Sequence, residues 1–235
     1  MGSAEPAVVG NDDYAAALSQ LHRLLLDYRG TAGFLTQLAV LAARSVGPKL
    51  SCGIMLQFSG PPLIVATSDP FATLAQQVQY RLGQGPCLDC LRVGERVRAD
   101  DLAAEGRWPV FALRATGIGL RSCLCLPFGM QGMAAALSFF SPSPQAFGTA
   151  EVSRAETFAE YGGSALLVGG RQDHATAGEL REVLAGRAMV DQALGLIMAS
   201  ERCTSSRAWA ILRTASINRR LEVHELAREI VSQQG

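Results

Sequence analysis

Apolar residues recur along this chain first in a helical rhythm, then in short runs, then again in a helical one. From Tyr14 to Tyr28, the residues Leu18, Leu21, Leu24, Leu25 and Tyr28 fall at helical spacing. Phe34, Leu35, Leu38, Leu41 and Ala42 do the same from Thr31 to Val46, where Gly47-Pro48 stops the helix. Cys52–Phe58 and Leu63–Thr67, separated by Ser59-Gly60-Pro61-Pro62, predict a β-hairpin. Ser68 or Asp69 is placed to cap a helix with Pro70 at its first position, running to about Arg81. A short helix to about Val93 comes after Gly83-Gln84-Gly85-Pro86. Val97–Arg98 reads as a short strand, Pro109–Thr116 as a helix, and Ser122–Phe128 and Ala134–Phe140 as two strong strands about the turn at Gln131-Gly132.

Beyond Gly148 the pattern is helical. Val152, Ala155, Ala159, Gly162 and Leu166 are spaced as a heptad seam, which Gly169-Gly170 is expected to interrupt. A second seam runs through Leu180, Val183, Arg187, Val190, Leu194 and Ile197. Such seams fit helices packed within their own domain. They also fit a parallel coiled coil holding a homodimer, and their place near the ends of two domains favours the dimer. Thr204 is a cap for a helix carrying Ala208, Trp209, Leu212 and Ala215, and Val223, Leu226, Ala227, Ile230 and Val231 mark a last helix. The reading is therefore α+β: a mobile tail over 1–13, an antiparallel-sheet domain over 14–168, a linker over 169–179, and a small all-α bundle over 180–235.

Composition narrows the function. Hydrophobic residues make up 49% and charged residues 18%, enough apolar surface for a packed core. Formal net charge is zero, so any nucleic-acid binding must come from a local patch. Such a stretch exists. Arg202, Arg207, Arg213, Arg219 and Arg220 lie in a run without a single acid, and arginine forks suit phosphates and guanine edges. The first thirteen residues lack the charged-then-apolar order of a signal peptide, and no apolar run reaches the ~20 residues of a spanning helix. A cytoplasmic protein with reduced thiols and no membrane partner is expected.

The string from Tyr80 to Glu95, Tyr-Arg-Leu-Gly-Gln-Gly-Pro-Cys-Leu-Asp-Cys-Leu-Arg-Val-Gly-Glu, resembles the central segment of GAF domains in actinobacterial regulators. Asp100-Asp101-Leu102, Arg107-Trp108-Pro109, Gly119-Leu120-Arg121-Ser122 and Leu126-Pro127-Phe128 match the same pattern, and the resemblance covers about Tyr14 to Val168. It implies an antiparallel sheet with helices on both sides and a small-molecule pocket on one face. The C-terminal part resembles the ANTAR family of transcription antitermination regulators through Arg187–Ala193, Gly195–Met198, Ala208-Trp209, Leu212-Arg213, Ala215-Ser216, Asn218–Arg220 and Ala227. That resemblance implies a coiled-coil dimer whose helical bundle binds paired RNA hairpins overlapping a terminator. Two positions depart from the family pattern. Leu194 stands where a lysine is usual, which extends the apolar seam and removes a cation. Arg207 replaces a usual acid, losing a capping box and adding positive charge.

Other chemistry has weaker support. Cys87-Leu88-Asp89-Cys90 opens a helix, and a helix start lowers a thiol pKa, so the pair is a redox candidate. A zinc site would need two more ligands, such as Cys123 and Cys125, whose i, i+2 spacing puts them on one strand face. Ordinary buried cysteines are the simpler reading, and neither a metal nor a cofactor is expected. The histidines are His22, His174 and His224; none falls between Thr31 and Gly170, which argues against a haem ligand in the first domain. No nucleophile–His–acid constellation can be placed, so no catalytic residue is assigned. Trp209 suits either base stacking or the bundle core. The competing functions are a DNA-binding regulator using the last two helices, and a GAF-type methionine sulfoxide reductase using Cys87 or Cys90.

Overall fold

A computed structural model describes residues 11–26, 31–57, 62–130, 133–172, 189–190, 192–203, 205–219, 221 and 223–232. Two compact units divide at Asp173/His174. Residues 11–13 of the mobile tail expected over 1–13 are helical instead; its residues 1–10, most of the linker, and the seam residues Leu180, Val183 and Arg187 lie outside the described residues, as do Thr204 and Arg220.

In the first unit the chain runs α1 (Asn11–Leu26), α2 (Thr31–Val46), β1 (Ser51–Gln57), β2 (Leu63–Thr67), α3 (Pro70–Leu82), α4 (Pro86–Val93) and β3 (Val97–Ala99). A 3₁₀ turn at Leu102–Ala104 leads to α5 (Pro109–Gly117), β4 (Ser122–Met130), β5 (Met133–Ser141) and α6 (Thr149–Gln172). The strands form one antiparallel sheet in the order β2-β1-β5-β4-β3. Helices α2 and α6 cover one face, and α3, α4 and α5 the other. Burial on both faces is why β1 and β5 are near-continuous apolar runs instead of alternating ones.

Local chemistry sets the helix starts. Asp69 is the N-cap of α3, its Oδ1 accepting the Ala72 N–H at 3.0 Å, and Pro70 occupies the first position. Ser68 ties this cap to the sheet: its Oγ accepts the Cys52 N–H at 2.8 Å and donates to Asp69 Oδ2 at 2.6 Å. Asp101 caps the 3₁₀ turn through the Ala103 N–H and takes a two-pronged bond from Arg121. The Asp100-Asp101 pair therefore terminates β3 and starts the 3₁₀ turn at Leu102.

Helix α6 departs from the expectation in one respect. It continues through Gly169 and Gly170 to Gln172, so the glycine pair does not interrupt it. Most of the seam along it is also buried within its own unit. Ala155, Ala159, Gly162 and Leu166 are buried, and the helix lies on α2 and the β4 strand of its own unit. A Cβ built on Gly162 would meet Leu38 Cδ2 and Phe128 Cε2, both at 3.1 Å. Small residues recur every three or four positions there because the helix sits close on the sheet. Ala155, Ala159, Gly162 and Leu166 thus serve the packing of their own unit, as the within-domain reading of the seam expects.

The second unit is a helical bundle: α7 (residues 189–190 and 192–201), α8 (Ser205–Arg219) and α9 (Val223–Ser232). Ile197, Ala208, Leu212 and Leu226 form its core, with Val190, Leu194, Met198 and Ile211 packed against them. No helix of the described residues is long and apolar enough to cross a membrane.

The Asp69 cap yields a pH-dependent test. Burial alone would raise the Asp69 pKa, but bonds from Ser68, the Ala72 N–H and Ser51 outweigh it and hold it below the ordinary carboxylate value. A depressed folded-state pKa contributes stability above the unfolded pKa of roughly 3.9, lost as pH falls through the folded value. Asp69→Ala should cost about 1 kcal/mol at neutral pH. Asp69→Asn should keep most of the cap but lose less stability than wild type between pH 5 and pH 3, read from denaturant midpoints.

Candidate functional site

Two places carry the residues singled out by sequence. The first is the sheet face under α3, α4 and α5. Its floor is Gly53 and Met55 from β1, Ala136, Ser138 and Phe140 from β5, Cys123 and Cys125 from β4, and Val97 and Ala99 from β3. Its roof includes Ala72 and Ala75 of α3, Cys87, Cys90 and Leu91 of α4, and Phe111 and Ala115 of α5. Trp108 closes one side. Its indole N–H donates to Asp89 Oδ2 at 2.9 Å, Arg92 holds the other carboxylate oxygen at 2.7 Å, and the Arg107 guanidinium lies 4.3 Å over the Trp108 ring.

The thiols of Cys87 and Cys90 meet those of Cys123 and Cys125 here. Cys87, Cys90, Cys123 and Cys125 are all fully buried, as is Cys52. The contact of Cys87 is with the Cys125 thiol across the interface of α4 and β4; Met55 Sδ is 4.0 Å away. The start of α4 does not activate these thiols. Hydrogen bonding to Cys125, then burial, pushes the Cys87 thiol up; burial does the same to Cys125 and Cys90. Neutral, buried thiols are poor nucleophiles. Among the described residues no group of three or more His, Cys, Asp or Glu is arranged to hold a metal ion.

Sequence reading passed over Gln76 and Gln79. Both are fully buried on the same face. Gln79 does the work a cap would do for α4: Gly85 offers no side chain, and Gln79 Oε1 accepts the Cys87 N–H at 2.8 Å. The signal was present, since 72, 75, 76 and 79 form one i, i+3, i+4, i+7 stripe holding two alanines and two glutamines. The predicted pocket between sheet and helices is filled by these side chains. A shallow cleft of about 360 Å³ lies beside it, where Cys90, Leu91 and Gly94 of the α4 end face Pro127, Gly129 and Ala134 of the β4–β5 hairpin.

The second place is the bundle. Arg202 is exposed and ends α7 in the left-handed conformation, φ 47°, with the Cys203 N–H bonded back to Met198 O. Arg207 is exposed near the start of α8. Arg219, at its end, forms a half-exposed ion pair with Glu229 of α9 at 2.6 Å. Helix α8 carries Arg213 and runs on through Ser216 to Arg219; the side chain of Arg213 is outside the described residues, as is Arg220. Of the second seam, Val190, Leu194 and Ile197 face their own bundle core.

The described residues thus form an antiparallel sheet between two helical layers in one unit and a helical bundle in the other. The chain belongs to the GAF domain family, whose model matches residues 34–167, and the ANTAR domain model matches residues 178–231. No curated protein matches it in sequence. Solved structures are similar in fold. The free methionine-R-sulfoxide reductase of Neisseria meningitidis, in complex with its substrate, superposes with TM-score 0.54 at 15% identity, over 74% of this chain and 100% of that one. The GAF domain of a phosphoenolpyruvate-protein phosphotransferase from Coxiella burnetii gives 0.53 at 15% identity, over 69% and 98%. An N-acylhomoserine lactone dependent LuxR family transcription factor from Burkholderia cenocepacia gives 0.52 at 17%, over 66% and 93%. At these identities the likeness is one of fold.

Thiol labelling tests the closed interior. With five buried cysteines and a half-buried Cys203, the native protein should react quickly with a maleimide at Cys203 alone. The other five should label at the rate of unfolding. Fast labelling of Cys87 or Cys125, located by peptide mapping, would contradict this packing.

Proposed function

We propose that this protein is a signal-responsive RNA-binding regulator of transcription antitermination. Its GAF domain takes a small ligand and its ANTAR bundle binds paired RNA hairpins that overlap a terminator. The GAF–ANTAR architecture supports a regulator rather than an enzyme, and the raised, buried Cys87 and Cys90 thiols count against a reductase or a fast redox switch. The observation that carries the RNA reading is Arg202. A residue with a Cβ in the left-handed region costs about 1–2 kcal/mol, and the position after a helix normally goes to glycine. Here it holds an exposed arginine at the head of the acid-free run from Arg202 to Arg220. Stability alone favours glycine; a phosphate contact favours arginine. Arg207, at a position usually acidic in the family, adds to the same run, and Leu194 contributes to the bundle core instead of a cation.

The RNA-binding set is Arg202, Arg207, Arg213, Arg219 and Arg220. Each lost phosphate contact should weaken binding to all hairpins alike and flatten the salt dependence by about one charge. Arg202→Gly should separate stability from function: thermally more stable by about 1 kcal/mol, yet weaker in a fluorescence titration with paired hairpins at two salt concentrations. Arg213→Ala should bind more weakly without gaining stability. If wild type does not distinguish paired hairpins from random RNA of equal length, the antitermination reading is wrong.

We further propose a homodimer, which would duplicate the arginine run for a two-hairpin target. With the α6 seam buried and Val190, Leu194 and Ile197 turned to the bundle, its contact falls to the Leu180, Val183 and Arg187 part of the seam. Sedimentation equilibrium at tens of micromolar should give twice the chain mass, and Leu180→Asp should return it to one without unfolding the bundle. A monomeric wild type would remove the dimer.

A further inference from the structure

Three unpartnered polar atoms meet under α3. Neither amide atom of Gln76, Nε2 or Oε1, has a hydrogen-bond partner, nor does Gln79 Nε2, and both residues are fully buried; the buried Ser138 hydroxyl beside them has only the Cys87 thiol to bond. The sheet register puts them at one spot. Ser138 pairs with Gly53 on one side and Cys125 on the other. The Gln76 amide lies directly on Gly53, where any Cβ would collide with it. Gln79 holds the Cys87 N–H, and the Cys87 thiol rests against Cys125. A buried polar group without a partner destabilises the fold by its full desolvation, and native proteins hold few of them. A leucine at position 76 would fill similar space without that cost. Packing therefore does not account for the glutamine.

We infer that this cluster is the recognition element of the sensor unit, and that it takes a small uncharged ligand with an amide-type edge, an N–H donor beside a C=O acceptor, as in carboxamides and lactams. The inference rests on the ligand-sensing reading above and narrows it. The Gln76 amide offers a donor and an acceptor side by side, whose complement is another such edge making two bonds; glutamine reads the adenine edge this way. Gln79 Nε2 adds a donor for the ligand carbonyl, and the Ser138 hydroxyl serves either role. The cluster excludes ions. The buried polar residues of the described structure are serines and glutamines, with no charged side chain among them. A carboxylate or ammonium placed there would lose several kcal/mol of hydration without a counter-ion. Room comes from Gly53: when the Gln76 side chain swings off it, bare backbone is left beneath. The surrounding apolar side chains hold the ligand to a few non-hydrogen atoms.

Acetamide and acetate form an isosteric pair that separates amide from ion, and uracil is a lactam probe. Thermal unfolding of the full chain should shift upward and saturate with acetamide or uracil, and not with acetate. Gln76→Leu should raise the melting temperature of the free protein, because the orphan amide is gone, and abolish the probe response. Ser138→Ala, a variant expected to fold normally, should weaken half-saturation about fivefold. No saturable response to either amide probe, an equal response to acetate, or a response that survives Gln76→Leu would each overturn the inference. Hairpin-RNA titration of the same samples separates the failures. RNA binding without an amide response overturns the ligand class alone, whereas loss of hairpin discrimination overturns the regulator reading.

Discussion

Everything in the first unit depends on a five-stranded sheet that is buried on both faces. A sheet covered on one side alternates apolar and polar residues; this one cannot, so β1 and β5 are buried along almost their whole length. Two helical layers are then obligatory, and each meets the sheet differently. On one side α6 comes close through alanines and glycine, with Gly162 against Leu38 and Phe128. On the other, three shorter helices rest on cysteines, alanines and a few aromatic rings, and the gaps left by small strand residues are filled by long side chains from α3. The polar cluster around Gly53 is a product of that second arrangement.

Much of this was legible beforehand. Helix α2 and strand β2 have the bounds their patterns predict, and Asp69, Pro70 and Asp101 act as the caps their residue types suggest. The α6 seam was not legible, for a physical reason. A repeat of small and apolar residues every three to four positions records that one stripe of a helix is buried. It does not record whether a partner chain or the helix's own sheet buries it. Gly169-Gly170 misled because helix propensity is a weak local term, about 1 kcal/mol per glycine, readily outweighed by context. The convergence of Cys87 with Cys125 depends on strand register, which no spacing within the CxxC or CxC motif encodes.

The glutamines teach a related lesson. Taken singly, Gln76 and Gln79 are unremarkable helix formers beside more conspicuous cysteines. Taken by stripe, they share a face with Ala72 and Ala75 and must go inside. One of them is explained by the fold: Gln79 supplies the cap that Gly85 cannot. Gln76 has no such task. Two glutamines on one stripe, one given a structural task through its Oε1 and one given none, separate a structural polar residue from a candidate functional one better than burial does.

Net charge conceals a comparable division. In the first unit five arginines are matched at short range: Arg92 with Asp89, Arg96 with Glu156, Arg98 with Asp100, Arg107 with Glu105, Arg121 with Asp101. Exposed pairs of this kind add little stability, but they cancel the local field. The stretch from Arg202 to Arg220 has no acid within it, and the ion pair of Arg219 with Glu229 reaches to the next helix. Screening confines any field to about 8 Å at physiological salt. A formal total of zero is therefore no measure of how charge is distributed, because acids and arginines are interleaved in one part of the chain and separated in another.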